Sequence, residues 1–390
     1  MARFGLSVKR TLVGAVLSAV LSIVMGLLSV SAHAVPISIE QQGSFSVGGR
    51  IVTESPSVEV RDVVPALGAS TGKPVERSYY IDQMTVRYQI PTQPRSVPLV
   101  FVPGQGQTGL IWETTPDGRE GFSTIFVKRG FSVYTVDPPH CGASGAPSFS
   151  GYFGKLGNRS IVDSVTFRFS NQEIFQFFRM GAHYPQLFAN SQFPPNGIVS
   201  FLKTFIPTVA EDQTLLAEAL STLLDRIGPA VLITHGENNT AGWLTAMRNP
   251  RVLAVVAYEP VGREALPFPS GALPPTPLDQ APLGWGVETE AFQKLARVPV
   301  QIVVGDNVPN YFDTDPVLEH WRRQVEVDRI FIAALQQRGG NAVFVSLPEQ
   351  GLYGNSHTPF LDSNNIEVAN ILSRFLADQK LDWRSAAVPP

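Results

Sequence analysis

Short, continuous apolar runs separated by longer segments of helical period dominate the chain from residue 98 onward. Val-, Ile- and Leu-rich runs of this length are typical of strands that are buried on both faces of a parallel sheet. The predicted strands are Pro98–Val102, Ser132–Val136, Ala230–Thr234, Leu253–Tyr258, Val298–Val304 and Ala342–Leu347, and the predicted helices include Thr208–Ile227, Asp315–Gln337 and Asn364–Gln379. The pattern therefore predicts an α/β fold with a doubly wound, mostly parallel sheet.

Two regions depart from this alternation. Between residues 35 and 98, short runs such as Ser44–Val47 and Met84–Tyr88 alternate apolar and polar residues, which predicts antiparallel edge strands. The interval between Val136 and Ala230 is far longer than a normal crossover and contains an aromatic-rich block. We interpret residues 147–208 as a cap insertion over the carboxyl edge of the sheet, with Phe167, Phe175 or Phe178 supplying pocket walls.

The first 34 residues have the form of a secretory signal peptide. Basic residues precede the apolar run Leu12–Val30, and Ala32-His33-Ala34 follows with the small residues that a signal peptidase accepts. Cleavage there leaves residues 35–390 as one exported domain, periplasmic or secreted and without stable membrane insertion. A retained anchor is the alternative, because the 19 residues of the run are long enough to span a bilayer.

Composition narrows the partners. The 390 residues are 44% hydrophobic and 16% charged, with a formal net charge of −3, which is typical of a chain that buries a core. No broad basic field is available for nucleic acid, so a small-molecule substrate is favoured. The sequence contains no cofactor motif and no metal-binding cluster, and Cys141 is its single cysteine. A homodimer is a further hypothesis.

Candidate chemistry follows the predicted strands, because ligands in a doubly wound sheet meet the loops at the strand carboxyl ends. After the first parallel strand, Gly104, Gln105 and Gly106 belong to a glycine-rich turn whose amides are suited to an oxyanion. After the Ala230–Thr234 strand, Gly236-Glu237-Asn238-Asn239-Thr240 fits the pattern Gly-x-Ser-x-Gly except that Asn occupies the serine position. The sequence therefore predicts a hydrolase elbow without its usual nucleophile.

A carboxamide oxygen is a poor nucleophile and carries no proton to give up, so Asn238 cannot start the ordinary acyl-enzyme route. Glu237 is an alternative nucleophile or base if the elbow adopts a different register, and Asn239 is a candidate substrate-binding residue. Either Glu259 or Asp306, each just after a predicted strand, is placed to orient a histidine. His357 is the candidate histidine, because it follows the last predicted strand and completes the order elbow, acid, histidine.

The chain also resembles a group of exported bacterial carboxylesterases within the α/β-hydrolase superfamily. The resemblance runs through Gly43–Arg50, Asp82–Pro91, Trp112–Arg119 and Gly354–His357. It implies an α/β-hydrolase fold and a serine esterase whose acid is Glu259 and whose histidine is His357. Two departures stand out: the family serine is matched to Asn238, and the oxyanion loop has Gln105 and Gly106 where the family carries adjacent cysteines.

Three functions follow as hypotheses. The first is hydrolysis of a small carboxylic ester or related carbonyl compound by His357 and Glu259. In this hypothesis Glu237 activates water, and Asn238 holds the Glu237 side chain in place. The second is a pseudoenzyme or binding protein in which Asn238 holds a ligand carbonyl. The third is a lyase or isomerase that uses His357 as a base.

Overall fold

The computed structural model describes residues 36–54, 77–145, 167–209, 212–262, 265–274 and 282–384. The predicted signal peptide and residues 147–166 of the predicted cap lie outside these ranges. Within them, no helix combines the length and the hydropathy that crossing a membrane requires.

Eight of the ten strands found in the described ranges form one mixed sheet in the order β1-β2-β4-β3-β5-β6-β9-β10. The pairs β1–β2 and β2–β4 are antiparallel, and every other pair in this sheet is parallel. The strands are β1 (Ile39–Glu54), β2 (Arg77–Pro91), β3 (Leu99–Val102), β4 (Val133–Asp137), β5 (Ala230–His235), β6 (Val252–Tyr258), β7 (Leu266–Pro269), β8 (Gly284–Val287), β9 (Val300–Val304) and β10 (Ala342–Ser346).

Helices cover the sheet, and an apolar core lies on each of its faces. In chain order they are α1 (Phe122–Lys128), α2 (Asn171–Phe177), α3 (Ile198–Leu202), α4 (Gln213–Ile227), α5 (Asn239–Arg248), α6 (Thr289–Ala296), α7 (Pro316–Gln336) and α8 (Asn365–Asp378). Residues of β3, β5, β6 and β9 are buried almost without exception, as continuous apolar strands covered on both sides must be. The predicted doubly wound, mostly parallel sheet is confirmed.

The differences from the sequence prediction are local. Helix α4 begins at Gln213 rather than near Thr208, because the Asp212 side chain caps the amides of Thr214 and Leu215. Thr208 instead pairs with Phe167 in an isolated antiparallel bridge. The two-stranded parallel sheet of β7 and β8 was not predicted, since each strand has only four residues and their sequences are rich in Gly and Pro.

The register of the parallel strands brings the candidate residues to one edge. His235 at the end of β5 pairs with Tyr258 at the end of β6, and Tyr258 pairs in turn with Val303 of β9. The residues that follow these strands therefore emerge side by side at the carboxyl edge of the sheet.

Candidate active site

A cavity of about 760 Å³ opens at the carboxyl edge of the sheet. Gly104, Gln105, Gly236, Glu237 and His357 lie at the sheet side of this cavity. Its walls are largely apolar and include Ile174, Phe177, Phe178, Phe205, Val261 and Leu283. A concave, mostly apolar site with a few convergent polar groups is the usual form of a small-molecule pocket.

The histidine and one of the two candidate acids meet beside this cavity. The Nδ1 atom of His357 lies 3.2 Å from Oε2 of Glu259, and both side chains are almost fully buried. An ionised carboxylate only accepts hydrogen bonds, so the ring proton belongs on Nδ1 and the lone pair of the neutral ring is on Nε2. The pair thus has the orientation of a general base and the acid that fixes its tautomer.

The environment of the pair favours a charged acid and a neutral base. Burial alone would raise the pKa of Glu259, but the Arg179 guanidinium and the His357 ring lower it to about 2. Burial lowers the pKa of His357, although Glu259 opposes that shift. At neutral pH the Glu259 carboxylate is therefore ionised, and the His357 ring is free to accept a proton.

Asp306, the other candidate acid, has a different role. Its Oδ2 atom accepts hydrogen bonds from the Gly354 amide at 2.7 Å and from Asn190 at 3.2 Å, while Oδ1 accepts from the Asn307 amide. These contacts tie the loop that carries His357 to the end of β9. Asp306 therefore supports the histidine loop, and the carboxylate that contacts the ring is that of Glu259.

The elbow has a different register from the one predicted from its sequence. After β5 the left-handed backbone conformation falls on Gly236, at φ +61°, and the chain then continues through Asn238 into α5. A hydrolase places its nucleophile at this strained turn between strand and helix. A Cβ atom built on Gly236 would lie 3.8 Å from Nε2 of His357. Gly236 thus lies at the strand-to-helix turn beside His357, where a serine hydrolase would carry its nucleophile, and it has no side chain.

The prediction that Asn238 points into the pocket is wrong. Asn238 is fully buried, and its amide donates to the Pro103 carbonyl oxygen and accepts from Gln213, both at 2.9 Å. Asn239 is also structural, since its Nδ2 atom donates to the carbonyl oxygens of Gly236 and Tyr258. Both side-chain amides stabilise the turn on the side away from the cavity. The helical backbone that follows Gly236 directs them there. Asn238 is therefore not placed to hold Glu237 or a ligand carbonyl.

The remaining predicted residues divide between cavity and scaffold. Glu237, Gly104 and Gln105 line the cavity, and burial raises the pKa of Glu237. A Cβ atom on Gly104 would come within 2.6 Å of Nδ1 of His235, so only glycine allows this close approach. Gly106 shapes the turn instead: its φ is +73°, and its carbonyl oxygen accepts from the Ile206 amide.

The described part of the predicted cap contributes walls, though not all those expected. Phe178 lines the cavity, whereas Phe175 is buried in the core and Phe167 forms the bridge to Thr208. Helix α7 and the residues before it, Phe312 among them, form an opposite wall that was not predicted. Among the described residues, no group of three or more His, Cys, Asp or Glu side chains is arranged to bind a metal ion.

Sequence reasoning missed Gly236 although a signal was present. Gly236 comes two residues after the predicted strand Ala230–Thr234, and glycine is the residue that most readily adopts the left-handed conformation that a sharp turn requires. Matching the spaced small residues Gly236 and Thr240 instead moved the assignment two residues along the chain. Arg179 was missed as well, because it lies 80 residues before its partner Glu259.

Comparisons with known proteins agree with this architecture. No family model matches the chain. The chain is 27% identical over 373 residues to "Probable secreted lipase phiG" from Fungal sp. (strain ATCC 74256), which covers 84% of this chain and 93% of that protein. It is 28% identical to a solved structure described as "The Atomic Resolution Structure of a Novel Bacterial Esterase", with a TM-score of 0.71 over 89% of this chain and 98% of that one.

The predicted α/β-hydrolase fold is thereby confirmed. The likeness to a lipase and an esterase supports the coarser prediction of a hydrolase of esterase or lipase type. The roles of individual site residues depend on their geometry in this chain, because a fold hosts many functions.

Proposed function

We propose that this protein binds a small, largely apolar carboxylic ester or related carbonyl compound and hydrolyses it with water activated by His357 and Glu259. The observation that carries the proposal is the position of His357, whose Nε2 atom faces the point where a serine side chain would begin at Gly236. The base is retained and the covalent nucleophile is not. The space beside Nε2 suits a water molecule that attacks the bound carbonyl directly.

In this route, His357 Nε2 takes a proton from water while the water oxygen bonds to the acyl carbon. The tetrahedral intermediate then collapses, the bond to the alcohol oxygen breaks, and His357 returns the proton to that oxygen. The products are a carboxylic acid and an alcohol, and no covalent enzyme intermediate forms. Glu259 accepts from Nδ1 throughout and stabilises the imidazolium.

We assign the oxyanion donors to the backbone amides of Gln105 and Glu237. In this fold, one donor follows the nucleophile position and the other comes from the loop after the first central strand. Both residues line the cavity next to Gly236 and His357. This assignment uses backbone groups only, so the change from the cysteines of the resembling family does not remove it.

A second function, ligand binding without turnover, is favoured by Gly236 itself. Without a side chain there, the protein lacks the group that makes acyl transfer fast in serine hydrolases. The apolar cavity would still hold an ester or a related carbonyl compound.

The test is hydrolysis of p-nitrophenyl esters of graded acyl length by the native chain and by His357→Gln. We expect slow turnover that His357→Gln reduces by roughly 10²-fold or more, within the range for loss of a general base. His140→Gln is the matched control, since His140 pairs with Asp82 outside this cavity. A fluorophosphonate probe should not label the native chain.

Equal turnover by native protein and His357→Gln would refute the hydrolytic route. Saturable quenching of Trp321 fluorescence by esters that are never cleaved would establish the binding function instead, because the Trp321 ring lies 4.7 Å from that of His357.

The pH profile gives a further check. A base must be neutral to accept a proton, and burial lowers the pKa of His357 below its ordinary value of 6.5. The rate should therefore persist on acidification past pH 6.5 and fall only at lower pH. A midpoint above 6.5 would indicate a different base.

Export belongs to the proposal too. Residues 1–34 support a cleaved signal peptide, and one similar protein is named as a secreted lipase. Amino-terminal sequencing of the exported protein should begin near Val35, whereas a start at residue 1 would indicate a retained anchor. The homodimer remains a prediction that the molar mass in solution tests.

A further inference from the structure

Three consecutive residues at the end of α2 contact the candidate catalytic pair or its support. The Phe177 carbonyl oxygen accepts from Trp321 Nε1 at 2.9 Å, and the Phe178 carbonyl oxygen accepts from the His357 amide at 2.9 Å. The Phe178 ring also meets the His357 ring edge to face, with centroids 4.6 Å apart. This segment therefore ties the described part of the cap to the histidine.

The third residue, Arg179, ties the same segment to the acid. Its Nη2 atom donates to Glu259 Oε1 at 2.7 Å, and its Nε atom donates to the Asp306 carbonyl oxygen at 2.9 Å. The guanidinium lies over the Trp321 ring, 4.2 Å from its centroid. Both side chains of the Arg179–Glu259 pair are 0% exposed, so no solvent screens the interaction.

The backbone supports the same pairing. Arg179 has φ +53° and Glu259 has φ +51°, a left-handed conformation that non-glycine residues adopt only at a cost in free energy. Such outliers persist where the surrounding structure imposes them, and they cluster at functional sites. Here both members of one buried ion pair share this conformation.

We propose that Arg179 is the positioning residue of the pair: its guanidinium holds the Glu259 carboxylate against His357, so that the ring proton stays on Nδ1 and the Nε2 lone pair faces Gly236. The inference rests on the proposed function, because the proposed reaction uses that lone pair to accept a proton. Its own test needs no substrate.

The two carboxylate oxygens of Glu259 have different partners, which explains the role of Arg179. Glu259 Oε1 accepts from Arg179 and from the Gly305 amide, which leaves Oε2 for His357. Without the guanidinium, a carboxylate buried this deeply takes up a proton more readily. A protonated Glu259 would donate to Nδ1, and the ring proton would then move to Nε2. The atom that faces Gly236 would no longer accept a proton.

The experiment records nitrogen chemical shifts of ¹⁵N-histidine in the folded full-length protein at neutral pH, with His357 assigned by its loss in His357→Gln. In the native chain we expect an unprotonated Nε2 and a protonated Nδ1. In Arg179→Met and in Arg179→Gln, more than half of the His357 population should carry the proton on Nε2. Arg179→Lys, which keeps the charge, should retain the native pattern.

Two controls separate positioning from a general loss of structure. Arg129→Met removes an arginine that binds the Ala369 carbonyl oxygen and Ser373, and it should leave the His357 signals unchanged. In a Glu259→Gln background, Arg179→Met should cause no further change, because Arg179 acts through Glu259. Two neutral replacements are used so that the failure of one to fold does not decide the question.

A native pattern in either neutral Arg179 variant would overturn the proposal, as would an equal shift in Arg129→Met or an undiminished shift in the Glu259→Gln background. Failure of the proposed hydrolysis is a separate result. A native chain that never cleaves an ester can still show the tautomer change, and an active chain can fail to show it.

Discussion

The two halves of the candidate site are built very differently. On the acid side, Glu259 is bonded to Arg179, to the Gly305 amide and to His357, and the pair is buried. On the elbow side, Gly236 occupies the turn and presents no side chain. Stability alone does not account for these buried charges, since the desolvation free energy of a buried ion pair often exceeds its Coulombic gain. The contrast supports the proposed function, in which His357 and Glu259 act on a reaction or a ligand that does not require a covalent nucleophile.

Backbone strain shows the same division. In hydrolases with a serine elbow, the left-handed turn strains the nucleophile. Here the turn holds a glycine, which adopts φ +61° without that cost, whereas Arg179 and Glu259 remain in left-handed conformations. The turn at Gly236 is therefore unstrained, whereas the backbone at Arg179 and Glu259 is strained.

The largest expected effect comes from completing the elbow. Gly236→Ser places a hydroxyl beside His357 Nε2, because a Cβ at this position lies 3.8 Å from that atom. Hydrolysis of short-chain p-nitrophenyl esters should rise by about 10²-fold or more, since a covalent route becomes available. The variant should also be labelled by a fluorophosphonate, while losing about 1–2 kcal/mol of stability through the left-handed serine.

Gly236→Ala is the matched control, because it adds the Cβ atom and the strain without the hydroxyl. It should not be labelled, and its hydrolysis should not exceed that of the native chain. A folded Gly236→Ser that is as slow and as unreactive as Gly236→Ala would show that the elbow is not aligned with His357.

The next effect concerns stability on the acid side. Glu259→Gln leaves the Arg179 guanidinium buried without its counter-charge, and breaking a buried pair in this way costs about 3–5 kcal/mol. Urea unfolding at pH 7 measures this loss in the free energy of unfolding. Glu349→Gln, in an exposed pair with Arg329, is the control and should cost less than about 1 kcal/mol.

The difference in stability between the native chain and Glu259→Gln should depend on pH. The pKa of Glu259 is lowered to about 2 in the folded chain, against an ordinary value of 4.5. Its contribution to stability is therefore fully present above pH 4.5 and declines as the pH falls toward 2. The difference between the native chain and Glu259→Gln should shrink in the same range. A difference that stays constant down to pH 2 would contradict the assigned charge state.

The smallest effect distinguishes the two elbow registers. Asn238→Ser should not create ester hydrolysis, because position 238 faces Pro103 and Gln213 rather than the cavity. It should instead cost about 1–3 kcal/mol, as buried partners lose their hydrogen bonds. Esterase activity in Asn238→Ser but not in Gly236→Ser would restore the register predicted from the sequence.

Sequence alone determined the elements whose signals are local or ordered along the chain. Continuous apolar runs predicted the strands of the central sheet, because burial on both faces leaves a pattern in the residues themselves. The order of strands along the chain was enough to nominate His357 as the candidate histidine and to limit the acid to Glu259 or Asp306. In the structure, the Glu259 carboxylate contacts the His357 ring, whereas Asp306 binds the loop that carries His357.

Tertiary structure decided what depends on backbone angle and on distant contacts. The small residues Gly236 and Thr240 fit an elbow centred on Asn238, and only the left-handed turn at Gly236 shows that this earlier position faces the cavity. Arg179 and Glu259 are separated by 80 residues, so their pairing leaves no signal in a single sequence. The physical reason is the same in both cases: periodicity records whether a residue is buried, but the direction and the partner of a side chain are set by how the chain folds around it.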